Sequence, residues 1–175
     1  MTSIFITAVT YFVFYQLNDG LFASLELHSG ANWIYLPAGL RLLCTLLFGI
    51  QGAIGIFIAS LAISLSNLVH IDFTTMLVSS VISATMPYLA YRIALYFGMP
   101  SSLENLSVKI LFALTFLYAL LNSATHSVWY RLREISPDPL DTFFVMFIGD
   151  LIGTLLIIYT MKIALVSFDQ FKNKE

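Results

Sequence analysis

Long apolar runs alternate along this chain with short polar breaks. The breaks fall at Asn18-Asp19-Gly20, Gly49-Ile50-Gln51-Gly52, His70-Ile71-Asp72, Gly98-Met99-Pro100-Ser101-Ser102 and Ser136-Pro137-Asp138-Pro139. Glycine, proline, asparagine and aspartate cluster there, the residues that favour turns over continued helix. Most runs between them approach the ~20 apolar residues that carry a helix across a bilayer. They predict helices over about Ser3–Leu17, Trp33 or Pro37 to Gly49, Ala53–Val69, Thr75–Phe97, Ser107–Arg131 and Thr142–Val166. The first is short for a span, with room to continue into Leu21–Leu27 after its break. Glu26 to Ala31 reads as an interfacial loop. Trp33 and Tyr35 suit the level of lipid headgroups. Pro37 suits a first helical turn, where its missing N–H costs nothing. The break at 49–52 is so short that the second and third helices form a tight hairpin. Pro87 lies inside the fourth run and predicts a bend of more than about 20°.

Composition sharpens this picture. The chain is 59% hydrophobic and only 10% charged, whereas about a quarter of residues are charged in soluble domains. The expected fold is therefore all-α: a polytopic membrane helix bundle with about six transmembrane helices, forming a single integral membrane domain over residues 1–175. Lipid is its first partner. Six spans leave no stretch for a kinase, cyclase or nucleotide-binding domain, so signalling or energy coupling would pass through another membrane protein subunit. The start Met1-Thr2-Ser3-Ile4 lacks a basic n-region, and no small-x-small site follows Tyr15, so the first run reads as a retained helix. Arg92, Lys109, Lys162, Lys172 and Lys174 fall near the side of the termini, Arg131 and Arg133 on the other. That bias predicts both termini in the cytoplasm.

Several chemistries find no support in the pattern. The net charge of −2 comes with no basic stripe for nucleic acid. Cys44 is the sole cysteine, which excludes an internal disulfide and any multi-cysteine metal site. His28, His70 and His126 lie on separate elements without paired spacing, so no metal or other cofactor is expected. No nucleophile elbow or phosphate-cradling glycine loop is present, and the chain does not read as an enzyme.

Charged residues inside a membrane are costly and mark function first. Arg41 lies about one turn into the second helix and Asp150 about two turns into the sixth. Both helices enter from the outer side, so the two charges reach similar depth and are expected within salt-bridge distance, about 4 Å. Asn122 and His126 are four apart and share a helix face, which Tyr118 and Tyr130 extend. Asn67 and His70 close the third helix at the same end. The predicted cluster is thus Arg41, Asn67, His70, Asn122, His126 and Asp150. It reads either as a lock between helices or as an outward-facing pocket with Arg41 anchoring an anionic or polar small molecule. A proton or ion path is the third reading, and no ionisable track continues through the inner half to support it.

Small residues mark close helix contacts: Gly49, Gly52 and Gly55 in the hairpin, Ser60, Ser64 and Asn67 on the third helix, Ser79, Ser80, Ser83 and Ala84 on the fourth, and Gly149 with Gly153 on the sixth. Such pairs let backbones approach, within one chain or against a second.

Two stretches carry a family resemblance. Asn32-Trp33-Ile34-Tyr35-Leu36-Pro37-Ala38-Gly39-Leu40-Arg41, running into Leu46-Leu47-Phe48-Gly49, resembles the Trp…Pro-x-Gly…Leu-Leu-x-Gly opening of the membrane-associated sensor domains. Gly149-Asp150-Leu151-Ile152-Gly153 resembles their closing helix. Trp33 stands further ahead of Pro37 than in that family, and the chain is shorter than its usual domain. The resemblance implies a bacterial inner-membrane module for sensing and signal transduction, acting as an accessory subunit with partners. A second resemblance is to the substrate-binding S components of energy-coupling-factor transporters, six-helix proteins of this size with a similar Leu-Phe-Gly…Gly…Gly hairpin at 47–55. It implies transport of a vitamin or metal ion. The first helix lacks their small-xxx-small docking stripe, since Ile4 and Phe12 flank Ala8 at that spacing.

Overall fold

The shortest α-helix among the described residues stands at the centre of the molecule. The computed structural model describes residues 1–28, 31–66, 72–100, 107–136 and 138–172. Its helices are α1 (Thr2–Phe22), α2 (Leu36–Phe48), α3 (Ile50–Ser66), α4 (Phe73–Tyr96), α5 (Val108–Leu132) and α6 (Pro139–Lys172). Two short strands, β1 (Glu26–His28) and β2 (Ala31–Asn32), pair antiparallel between α1 and α2, where the sequence predicted a loop. The 13 residues of α2 pack against α1, α3, α4 and α6. Around it α1 lies on α3, α3 on α4, α4 on α5 and α5 on α6.

Burial runs opposite to that of a water-soluble domain. Thr7, Thr45, Thr115, Asn122, Ser123, Thr142 and Thr154 are fully enclosed, while Phe5, Val9, Phe112, Phe116, Phe144 and Leu155 face outward. Among the described residues three helices are long and apolar enough to cross a membrane: α4, α5 and the Pro139–Met161 part of α6. At 1.5 Å per residue α2 and α3 reach only about 20 and 26 Å, short of the ~30 Å hydrocarbon core.

A short irregular connector leads into α2. Residues 32–35 lie along α6, in a groove made by Gly149 and Gly153. A Cβ at Gly149 would overlap the carbonyl oxygen of Asn32, and one at Gly153 that of Tyr35. The Gly-x-x-x-Gly motif thus seats this chain's own backbone, which answers the choice between internal and intermolecular packing for these two residues. Gly39 meets the same surface from α2, where a Cβ would come 2.6 Å from Ile157 Cβ. Irregular backbone inside a bundle needs partners for its polar groups, and each donor here has one. Trp33 N–H donates to Leu25 O at 3.2 Å and Tyr35 N–H to Gly149 O at 3.2 Å. Ile34 N–H donates to Asn32 Oδ1 at 3.0 Å, and Leu36 N–H to Asn18 Oδ1 at 2.8 Å.

That last bond explains why α1 overruns its predicted stop. Asn18 is buried and helical, and its amide satisfies the start of α2 instead of breaking α1. Asn18→Ala leaves the Leu36 N–H buried without an acceptor and should cost about 1–3 kcal/mol. The expected reading is a melting temperature lowered by roughly 3–10 °C in detergent; an unchanged melting temperature would show that the amide is not needed there.

The remaining ends are tied by ordinary devices. Asp72 caps α4 by accepting from Thr75 N at 3.1 Å and Thr75 Oγ1 at 2.8 Å. It also meets Arg133 Nη2 at 3.0 Å, joining the start of α4 to the end of α5. The Thr75 hydroxyl first, and Arg133 after it, hold this carboxyl below its ordinary range. Helix α4 stays continuous through Pro87 from Phe73 to Tyr96.

Candidate functional site

A cavity of about 390 Å³ opens at the hairpin end of the bundle, away from the termini. Every helix contributes to it: Tyr11 and Tyr15 from α1, Arg41 from α2, Ser60 and Ser64 from α3, Ser79, Ser80 and Ser83 from α4, His126 and Tyr130 from α5, Asp150 from α6. Glu26, Asn32 and Tyr35 line it from the hairpin and connector. Its volume lies within the ~300–1,000 Å³ range of small-molecule sites, and like them it sets polar groups among apolar side chains such as Ile63, Met76, Ile135 and Met146.

Arg41 is the centre of the site and only 5% exposed. The central place of α2 buries it, and the small neighbours Ala38 and Gly39 allow that helix in. Its Nε donates to the Tyr11 hydroxyl at 2.8 Å and its Nη2 to the Tyr35 hydroxyl at 3.2 Å. The guanidinium also stands 5.3 Å from the Tyr11 ring centroid and 5.1 Å from that of Tyr35. Aromatic faces stabilise a cation through their quadrupoles, more so when water is excluded. The tyrosine hydroxyls lie 3.3 Å apart, so α1 and the connector clamp the Arg41 side chain together.

Asp150 is 2% exposed and accepts from Asn122 Nδ2 at 2.6 Å. It does not pair with Arg41. The ion pair between described residues is Arg133 with Asp72, and no carboxylate among the described residues lies within 4 Å of Arg41. This corrects the predicted salt bridge. The physical reason is that Tyr11 and Tyr35 reach the guanidinium first, while Asn122 holds the carboxylate on the α5–α6 side. The two charges still face one cavity and feel one another's field.

The His126 ring stands 3.5 Å from the Ser83 hydroxyl through Nε2, and its Nδ1 has no protein partner among the described residues. The hydroxyl of Ser60 and the Oδ1 of Asn122 are likewise buried without one. Pro87 cannot supply an N–H to the carbonyl of Ser83, one helical turn before it. Polar capacity without a partner therefore collects around this cavity.

Of the six predicted site residues, Arg41, His126 and Asp150 line the cavity, and Asn122 supports it by holding Asp150. Asn67 and His70 lie outside the described residues. Sequence reasoning missed Tyr11, Tyr15, Tyr35, Glu26 and Asn32, and took the serines of α3 and α4 for packing faces alone. One signal was available for the first of these. Thr7, Tyr11 and Asn18, the buried residues of α1, repeat at helical spacing and mark a polar stripe turned inward. Among the described residues no group of three or more His, Cys, Asp or Glu side chains is placed to hold a metal ion. Compared with known proteins, the chain matches no protein-family profile, no curated protein and no solved structure.

Proposed function

We propose that this chain is a six-span bacterial inner-membrane protein, both termini cytoplasmic, that serves as a sensor-like or accessory subunit and binds a small molecule in the cavity at its hairpin end. The observation that carries this reading is Arg41. A guanidinium is buried in a ligand-sized cavity, oriented by two tyrosines and unmatched by any described carboxylate within 4 Å. Burying a cation costs several kcal/mol unless something compensates it, so such an arrangement persists where it serves recognition. The apolar exterior and polar interior support the membrane setting. Spans shorter than the hydrocarbon core, as in α2 and α3, are accommodated by local thinning or by neighbouring helices.

Ligand recognition reaches other proteins through the helices that line the cavity, since α1, α4 and α6 each present an outward apolar face a partner can read. A second reading, the substrate-binding subunit of an importer, draws on the same cavity, to which all six helices of the chain contribute. Gentle solubilisation from the native membrane, followed by native mass spectrometry, separates the two. The first reading expects a bound small molecule together with a partner carrying a kinase or cyclase output; the second expects ATP-binding-cassette subunits. Arg41→Met should abolish the small-molecule adduct in either case. A chain that carries no adduct, and whose partners are indifferent to Arg41→Met, would remove both readings.

A further inference from the structure

We infer that the ligand of this cavity is a small zwitterion, its acidic group taken by Arg41 and its basic group by Asp150. The inference rests on the reading of the cavity as a ligand site and names the chemical class of that ligand. Three observations lead to it.

First, the cavity holds one buried charge of each sign, Arg41 on α2 and Asp150 on α6, and they do not satisfy each other. Two opposite charges in a low-dielectric interior gain most by direct contact. Held on separate clamps, they present opposite charges to one cavity. A ligand with an anion at one end and a cation at the other fills that cavity with complementary charge at both ends, whereas a simple anion or a simple cation would leave one protein charge unanswered.

Second, each clamp leaves capacity on its charged group. The tyrosine bonds to Arg41 run from Nε and Nη2, and the two hydrogens of Nη1 take part in neither. A guanidinium presents its donors as a planar fork suited to a carboxylate. Asp150 is bonded through Oδ2, and its other oxygen, Oδ1, takes no part in that bond. An ammonium with three donors matches a carboxylate oxygen together with neighbouring hydroxyls.

Third, the cavity that both charges face also carries hydroxyls and an imidazole on its wall. Ser60 is buried without a partner among the described residues, and Ser83 and His126 touch at only 3.5 Å. These groups can serve the polar middle of such a ligand and carry no net charge of their own that would favour one end.

The test uses the full chain in detergent and a series of linear ω-amino acids: glycine, 4-aminobutyrate and 6-aminohexanoate. Each is set beside the carboxylate and the amine of the same length. Thermal shift and calorimetric titration are the readouts. At least one amino acid should bind about tenfold or more tighter than both its singly charged counterparts, the margin lost when a buried polar group is left unpaired. Asp150→Asn should reduce that amino acid to the level of its carboxylate counterpart while leaving the carboxylate itself unaffected. Should the carboxylates bind as tightly as the amino acids, the site is an anion site, and the zwitterion inference falls while the pocket stands. Should no compound in the series bind, the zwitterion inference falls as well, and a co-purifying adduct that depends on Arg41 then separates that failure from failure of the pocket itself. If Asp150→Asn does not fold, Asp150→Glu, which keeps the carboxylate but lengthens its stem by one methylene, should instead shift the preference toward the shorter amino acids of the series; an unshifted preference overturns the assignment.

Discussion

Gly149→Ala is expected to prevent folding or to lower the melting temperature by roughly 10 °C or more, while Gly20→Ala leaves it unchanged or slightly higher. The first substitution places a methyl group onto the carbonyl oxygen of Asn32, and Gly153→Ala does the same to Tyr35. Inserting a methyl group into a packed core costs about 1–3 kcal/mol when side chains can retreat. Here the obstacle is backbone with no rotamer to adopt, held by the Tyr35 N–H bond to Gly149 O. Moving it would drag the start of α2 and with it the burial of Arg41. Gly20 is helical, and a methyl group added to it would meet nothing within 4 Å, so alanine there gains about 0.5–1 kcal/mol in helix propensity. Differential scanning fluorimetry of the three variants in one detergent gives the comparison. Folded Gly149→Ala with a wild-type melting temperature would mean that the connector does not lie in this groove.

The helical runs and the meeting of Arg41, His126 and Asp150 were legible because cost made them so. Apolar runs of that length have few other uses, and a charge inside one must turn toward the protein interior. The partners of those charges were not legible. Depth along the helices matched Arg41 to Asp150, but depth says nothing of azimuth, and the guanidinium is claimed by Tyr11 from α1 and Tyr35 from the connector. Tyr35 was assigned to the headgroup level by its residue type alone, yet its hydroxyl reaches Arg41 inside the site. Asn18-Asp19-Gly20 looked like a stop by local propensity. Tertiary context overrode it, because the Asn18 amide meets the unsatisfied N–H of Leu36, 18 residues further along the chain. A three-residue strand facing a two-residue one left too little periodicity to distinguish a hairpin from a loop at 26–32.

The reciprocal exchange Arg41→Asp with Asp150→Arg should recover nothing, and Tyr11→Phe should be the more damaging of the two tyrosine substitutions. If the two charges formed a direct lock, exchanging them would rebuild the pair with reversed polarity. The geometry denies this, because an aspartate at 41 is too short to take up the space of the guanidinium between the Tyr11 and Tyr35 rings. An arginine at 150 would meet the amide of Asn122 in a place that fits a carboxylate. Removing the Tyr11 hydroxyl takes an acceptor from both Nε and Nη2 of Arg41, whereas Tyr35→Phe takes only the 3.2 Å bond from Nη2; the 3.3 Å contact between the two hydroxyls is lost in either variant. Hydrogen bonds to a buried charge contribute about 1.5–3 kcal/mol each, so Tyr11→Phe, which removes two, should lower the melting temperature by roughly 6 °C or more, and Tyr35→Phe, which removes one, by about half as much. A double-mutant cycle sharpens the comparison. With Arg41→Met as the common substitution, the coupling energy to Tyr11→Phe should exceed that to Asp150→Asn, because the first pair is in contact and the second acts only through its field. The order of those two couplings is the decisive quantity. A larger coupling to Asp150, or an exchange variant that melts like the wild type, would reinstate the direct ion pair and close the space on which the ligand site depends.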